Sequence, residues 1–382
     1  MAGSLLGRDI RSILVFKQRN IGDVLLSTPA IHALRSAWPR ARIAVAVNSG
    51  TEAMVDGNPD IDRVIVFDRS ARDAGGAGRW REEARFLGEI RAWRPGLAVQ
   101  LTEGDRGAIL AFLSGARFRA GLVPGRRGLW GKEKLFTHLS PLPSLYRHAV
   151  LRDLDVVGAA GIPPADPGLR FFFTEEDRSR AAALLSGAGV PDGVPYAVVQ
   201  PGSRWKFKCW TDAGNAGLLA HLARRGLLPV ITSGPDPEEV AQVERIRGLC
   251  PVSVASLAGR LSFRELGALI SMARLYVGVD SAPMHLAAAV GTPTVAIFGP
   301  TGAFNWAPWE GIDWGYTAQM KGGTRFVGRH AVVQQAWDCV PCGKDGCGGT
   351  KRSRCMEEIC LDEVTDTVDR ILSRPPVPRS PR

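Results

Sequence analysis

Three places in the chain set charged side chains or free backbone donors at the end of an apolar run. In the first, Leu275-Tyr276-Val277-Gly278-Val279 reads as a buried strand, Asp280 stands at its end, and Ser281-Ala282-Pro283-Met284-His285 opens an Ala-rich helix. Ser281 suits the N-cap and Pro283 the first turn, where backbone donors have no partner inside the helix. The amides of Ser281, Ala282 and Met284, with the positive helix end, would face a ligand above the sheet, which suits a phosphate. His285 could add a donor, although a histidine on such a helix is more often packed. An ordinary capped helix would account for the same residues. In the second place, the apolar run Tyr196–Gln200 leads into Pro201-Gly202-Ser203-Arg204-Trp205-Lys206-Phe207-Lys208. Gly202 and Ser203 give a tight turn with open amides, and Arg204, Lys206 and Lys208 set cations beside it. Any one of these cations could equally belong to a solvated loop. In the third, Ile13–Phe16 precedes Lys17-Gln18-Arg19-Asn20-Ile21-Gly22-Asp23 and a helix expected over Val24–Ser36. A carboxylate in a first helical turn stays ionised, so Asp23 is available as a base or simply as a cap. Neither a Gly-x-Gly-x-x-Gly dinucleotide loop nor a Gly-Lys-Ser/Thr phosphate loop occurs.

These residues need parallel strands to hold them. Strands are expected near residues 13–16, 42–47, 64–67 and 97–100 in the first half, and near 196–200, 229–232, 252–256, 275–279 and 294–298 in the second. Helices alternate with them, one opened by the capping box Ser262-Phe263-Arg264-Glu265. Alternation of this kind gives an α/β fold of two Rossmann-like domains, whose ligands bind outside the carboxyl ends of the strands. Facing domains would set Asp23 and Asp280 on two walls of one cleft. The Pro-rich stretch 161–167 and the break at 187–195 put the domain boundary near residue 185. Residues 1–185 and 186–374 form the two domains, and the Pro/Arg-rich tail 375–382 is expected to be disordered.

The chain has 382 residues, too many for one core, and its 45% hydrophobic and 23% charged content describes a soluble globular protein. Apolar stretches stop short of bilayer length and no secretory signal opens the chain, so a cytoplasmic location is expected. Net charge is +10, and residues 1–190 carry 27 Lys/Arg against 20 Asp/Glu, hence most of the excess. The densest basic segment runs from Arg106 through Arg117, Arg119, Arg126 and Arg127 to Lys132 and Lys134. No nucleic-acid motif accompanies it, so an anionic glycolipid at the inner membrane surface is the expected polyanion. Five of the seven cysteines cluster as Cys339, Cys342, Cys347, Cys355 and Cys360. Their spacing invites a zinc reading, but it lacks the paired Cys-x2-Cys pattern and a histidine; reduced thiols are the preferred state.

The stretches Asn20–Ala30 and Asp280–Thr301 resemble the N- and C-terminal signatures of the bacterial ADP-heptose:lipopolysaccharide heptosyltransferase family. The resemblance covers about Ile13 to Cys355. Within the family, Arg204–Trp210, Thr232-Ser233-Gly234-Pro235-Asp236 and Cys339–Cys347 look most like heptosyltransferase III. That resemblance implies a GT-B glycosyltransferase moving L-glycero-D-manno-heptose from ADP-heptose to the lipopolysaccharide inner core, with inversion. It also implies Asp23 as the base, Lys208 on the diphosphate and Asp280 on donor hydroxyls. Ser203, Arg204, Ser281, Ala282, Met284, His285 and Glu238 (or Glu239, toward ribose or adenine) complete the expected donor site. Arg106, Arg117, Arg119 and Arg126 are expected to meet acceptor phosphates. ADP is a good leaving group, so one base and charge stabilisation suffice, and no metal or other cofactor is called for. Three alternatives remain open on residues alone: a nucleotide sensor without turnover, a zinc-containing nucleic-acid binder, and a GT-B transferase using another nucleotide sugar.

Overall fold

The computed structural model of the chain describes residues 3–72, 75–123 and 128–375. The chain divides into two compact units, Met1–Phe172 and Phe173–Arg382. The division falls upstream of residue 185, because the helix expected before that boundary packs against a helix of the second unit. The tail, from residue 376 onward, lies outside the described residues.

The first unit runs β1 (Ser12–Phe16), α1 (Ile21–Leu26), α2 (Thr28–Ala37), β2 (Arg42–Asn48), β3 (Arg63–Phe67), α3 (Gly75–Ala92), β4 (Leu97–Gln100), α4 (Asp105–Leu113), β5 (Phe118–Leu122), β6 (His138–Ser140) and α5 (Ala149–Ala159). Its six strands form one sheet in the order β3-β2-β1-β4-β5-β6, every pair parallel. β1 is central and buried at every position, as expected of a strand covered on both faces. The helix expected over residues 24–36 is two helices. Ser27 Oγ donates to the Val24 carbonyl at 2.7 Å and Thr28 Oγ1 to the Leu25 carbonyl at 2.8 Å. Pro29 then sits in the first turn of the second helix, where its missing N–H costs nothing.

The second unit runs α6 (Glu175–Gly187), β7 (Tyr196–Gln200), α7 (Asp212–Arg224), β8 (Leu228–Ile231), α8 (Pro237–Leu249), β9 (Ala255–Ser256), α9 (Phe263–Met272), β10 (Leu275–Val279), α10 (Ala282–Ala289), β11 (Thr294–Phe298), α11 (Ala303–Trp306), β12 (Arg325–Val327), β13 (His330–Gln334), α12 (Arg354–Glu357) and α13 (Leu361–Leu372). The strand order is β12-β13-β11-β10-β7-β8-β9, and only the edge strand β12 runs antiparallel to its neighbour. Ser262 caps α9 as its sequence predicts, accepting from the Glu265 N–H at 3.3 Å while the Glu265 carboxylate takes the Ser262 N–H at 2.7 Å. Among the described residues no helix is long and apolar enough to cross a membrane.

Candidate active site

In the second unit β7 and β10 are neighbours, with Gly278 in register with Gln200, so the segments after these strands emerge side by side. Lys208, in a short helical turn after β7, donates from Nζ to Asp280 Oδ2 at 2.7 Å. Thr301, just beyond β11, donates its hydroxyl to the same oxygen at 2.7 Å. Asp280 is 5% exposed, so two donors on one buried carboxylate oxygen fix its orientation and offset its desolvation. Gln334 anchors the segment that carries Thr301, donating to the carbonyls of Gly299 at 2.8 Å and Thr301 at 2.9 Å. The open end of α10 lies directly after Asp280. The Met284 N–H already donates to the Ser281 carbonyl at 3.1 Å, which corrects its expected role as a free donor. Among the described residues, the amides of Ser281 and Ala282 are the donors that remain at this helix end. The Ser281 hydroxyl turns back to the Val279 carbonyl at 3.2 Å rather than capping the helix.

The other donor-side residues are more dispersed. Ser203 is buried and its hydroxyl accepts from the Trp205 N–H at 3.4 Å. Arg204 lies over the Trp205 ring, 5.4 Å from its centroid. Lys206 pairs with Glu238 at 3.2 Å, while Glu239 accepts from the Gly234 N–H at 3.0 Å. Glu238 is therefore an ion-pair partner at the start of α8, and Glu239 holds the turn after β8. His285 is buried within α10.

In the first unit, Asp23 occupies the first turn of α1 and is 8% exposed. Its Oδ2 accepts from the Asn20 backbone N–H and side-chain amide, both at 3.2 Å, and Oδ1 lies 3.9 Å from Arg19 Nε. Capping thus engages one carboxylate oxygen and leaves the other facing a cation. Beside it is a pair that sequence reasoning missed. Lys17 Nζ donates to both oxygens of Asp153 at 2.9 and 2.6 Å and to the Leu101 carbonyl at 3.2 Å. Burial pushes the Asp153 carboxyl up to about 6, with the Lys17 ammonium opposing that rise and the Asp23 charge adding to it. A signal for Asp153 was present: it is the one acid on the buried stripe Ala149, Val150, Asp153, Val156 and Val157 of α5.

The expected acceptor arginines do not gather. Arg106, in the first turn of α4, donates to Glu83 at 3.1 and 3.0 Å and to Gln18 at 2.6 Å, beside Lys17. Arg117 just precedes β5 and Arg119 is its second residue, at the end of the sheet opposite to the carboxyl end of β1. Arg119 is held by the carbonyls of Leu135 and Ala116 at 2.5 and 2.7 Å. Parallel strands separate these two ends by the full strand length. Arg126 lies outside the described residues.

In the cysteine loop Cys339, Cys342 and Cys347 are exposed and Cys355 is buried. Burial and the neighbouring thiols push the Cys355 thiol up to about 12. Among the described residues no group of three or more His, Cys, Asp or Glu is placed to hold a metal ion.

Residues 87–321 match the family model of glycosyltransferase family 9 (heptosyltransferase). The chain belongs to this family. It is 35% identical over 291 residues to lipopolysaccharide heptosyltransferase 3 of Escherichia coli K12, covering 75% of this chain and 82% of the relative. Among solved structures, a family 9 glycosyltransferase from Veillonella parvula aligns with a TM-score of 0.78 and 22% identity over 97% of this chain and 99% of that one. The E. coli ADP-heptose lps heptosyltransferase II aligns with a TM-score of 0.70 and 18% identity, covering 94% and 98%. At these identities the structural matches establish the shared GT-B fold, and the family match establishes a glycosyltransferase.

Proposed function

We propose that this family 9 enzyme transfers heptose from ADP-heptose to a hydroxyl of the lipopolysaccharide inner core, as a heptosyltransferase III-like enzyme. The observation that carries the donor assignment is the cluster of Lys208, Asp280 and Thr301 beside the open end of α10. A cation and two backbone donors meet a diphosphate there, and the fixed carboxylate accepts from sugar hydroxyls. The second unit is accordingly the nucleotide-sugar domain and the first the acceptor domain. In the chemical step the acceptor oxygen forms its bond to the anomeric carbon from the face opposite ADP, the bond to the diphosphate breaks, and Asp23 takes the acceptor proton. Arg106 supports acceptor phosphates, and the enzyme works at the anionic inner membrane surface. With ADP-, UDP- and GDP-heptoses or hexoses offered in turn, nucleotide release dependent on a deacylated inner-core acceptor should occur with ADP-heptose. Release from a UDP- or GDP-sugar instead would replace this donor assignment.

A further inference from the structure

The outer side of α4 carries a surface that the transfer reaction does not use. Asp105, Ile109 and Phe112 fall on one face of α4 at helical spacing, and Ile109 and Phe112 are 39% and 50% exposed. The segment 128–135 is fastened along this face at both ends. At one end Asp105 accepts from the Leu129 N–H at 2.9 Å and from Lys132 Nζ at 2.8 Å. Gly128, at φ +92°, passes so close that a Cβ there would fall 2.3 Å from the Asp105 carboxylate. At the other end Arg119 bridges, lying over the Phe112 ring at 5.5 Å while donating to the Leu135 carbonyl. The fastening leaves Leu129 47% and Trp130 92% exposed. Lys134 Nζ lies 5.6 Å from the Trp130 ring centroid. Beyond Phe112 a depression of about 450 Å³ adds Arg91 and Arg94, both exposed. The exposed acid of the segment is Glu133.

Solvent-exposed Trp, Phe, Leu and Ile side chains ringed by cations fit the headgroup zone of a bilayer. There an indole or phenyl ring enters the acyl boundary while Lys and Arg remain among anionic headgroups. A protein partner would be expected to cover such side chains with a shape-matched apolar face, and it would not need the cation beside each ring. We propose that this α4 surface, with Trp130 as its deepest point, docks the enzyme on anionic lipid. The inference rests on the reading above that the acceptor is a membrane glycolipid. The surface starts at the first turn of α4, where Arg106 reaches Gln18 beside Lys17, so it adjoins the acceptor side of its own unit.

Flotation of the full chain with vesicles tests this. One set is phosphatidylcholine alone and the other phosphatidylcholine and phosphatidylglycerol in equal parts. The chain should float with the anionic set, less so at high salt, and little with the neutral set. Trp130→Ser should lower partitioning about tenfold, given the apolar area withdrawn from the bilayer. Lys134→Glu should lower it about tenfold on the anionic set, because a cation that anionic headgroups attract becomes a charge that they repel. Thermal melting must match the parent, and Ile109→Ser serves as a second probe should Trp130→Ser fold poorly. Transfer to a water-soluble deacylated acceptor should be unchanged in all three variants. Undiminished flotation of the folded variants, equal flotation with both vesicle sets, or no flotation of the parent chain would overturn the proposal. The last result would leave a protein partner as the occupant. Failure of the parent to use ADP-heptose with the deacylated acceptor would instead sink the substrate assignment, whatever the flotation shows.

Discussion

The carboxyl ends of the two sheets solve the problem of a buried carboxylate in different ways. In the second unit Asp280 is met by an ammonium and a hydroxyl, on side chains from segments far apart in sequence. In the first unit Asp23, the carboxylate proposed as the base, is held by its own helix start, and the ammonium of Lys17 is given to a different acid, Asp153. The contrast separates two tasks. A binding carboxylate gains from being locked and charge-matched, because its work is orientation. A base must keep an oxygen that can still take a proton, so a tight bidentate cation would weaken it. The Lys17 ammonium is neutralised by Asp153, whose carboxylate is repelled by the Asp23 charge, so this pair gives Asp23 no close cation.

The largest effect should come from Asp23→Asn. The amide preserves size and the contacts at Asn20 but cannot accept the proton, so turnover should drop ~10²–10⁴-fold with ADP affinity nearly unchanged. Wild-type turnover would leave Asp23 as a cap only and collapse the contrast. Next is Lys17→Met, which leaves Asp153 buried without its cation. Loss of one partner from such a pair costs about 3–5 kcal/mol, seen as a lower midpoint in urea unfolding. A fully stable variant would show that the pair is not a structural element of the first unit. Lys208→Ala should weaken ADP binding by a charged hydrogen bond, about 1.5–3 kcal/mol, whereas Lys206→Ala, which loses only its contact to the exposed Glu238, should change it little. Isothermal titration with ADP decides between them; a larger loss at Lys206 would move the diphosphate away from Asp280.

The smallest effect concerns pH, and the units should respond in opposite directions. Asp153 is raised from 3.8 to about 6, so the stability it contributes is full below about pH 4 and lost as pH rises through 6. His330 opens β13 fully buried. Burial lowers its pKa from 6.5 to about 4, the nearby Glu310 opposing and Arg329 adding to the drop. Its contribution is full above pH 6.5 and lost as pH falls toward 4. His330→Leu should therefore flatten the acid side of the stability profile. An unchanged slope between pH 4 and 6.5 would show that the buried imidazole does not drive it.

The two units also differed in how legible they were. The segments 20–23, 201–208 and 280–285 could be read because strand end, turn and cap are local features written in consecutive residues. Lys208 and Asp280 were expected at one ligand, and their direct bond follows from β7 and β10 being neighbours, which no local pattern encodes. Thr301 stood in a recognised motif without a role, since its partner is 21 residues away. β5 was hidden because Phe118-Arg119-Ala120-Gly121-Leu122 alternates too weakly and reads as part of a basic segment. β13 was passed over although His330–Gln334 is buried at every position. The five cysteines from Cys339 to Cys360 were legible as a cluster, yet spacing alone does not determine whether thiols converge.

The division of the first helix at Ser27 has a consequence for how this enzyme can fail. α1 has six residues, fewer than two turns, and a helix of that length does not persist through its own backbone bonds. Its direction is imposed by Val24, Leu25 and Leu26, all fully enclosed. The seat of Asp23, the proposed base, is therefore part of the hydrophobic interior. A shortened side chain at Leu25 would tilt the carboxylate long before the sheet came apart, and such a variant would look properly folded, bind nucleotide normally and turn over slowly.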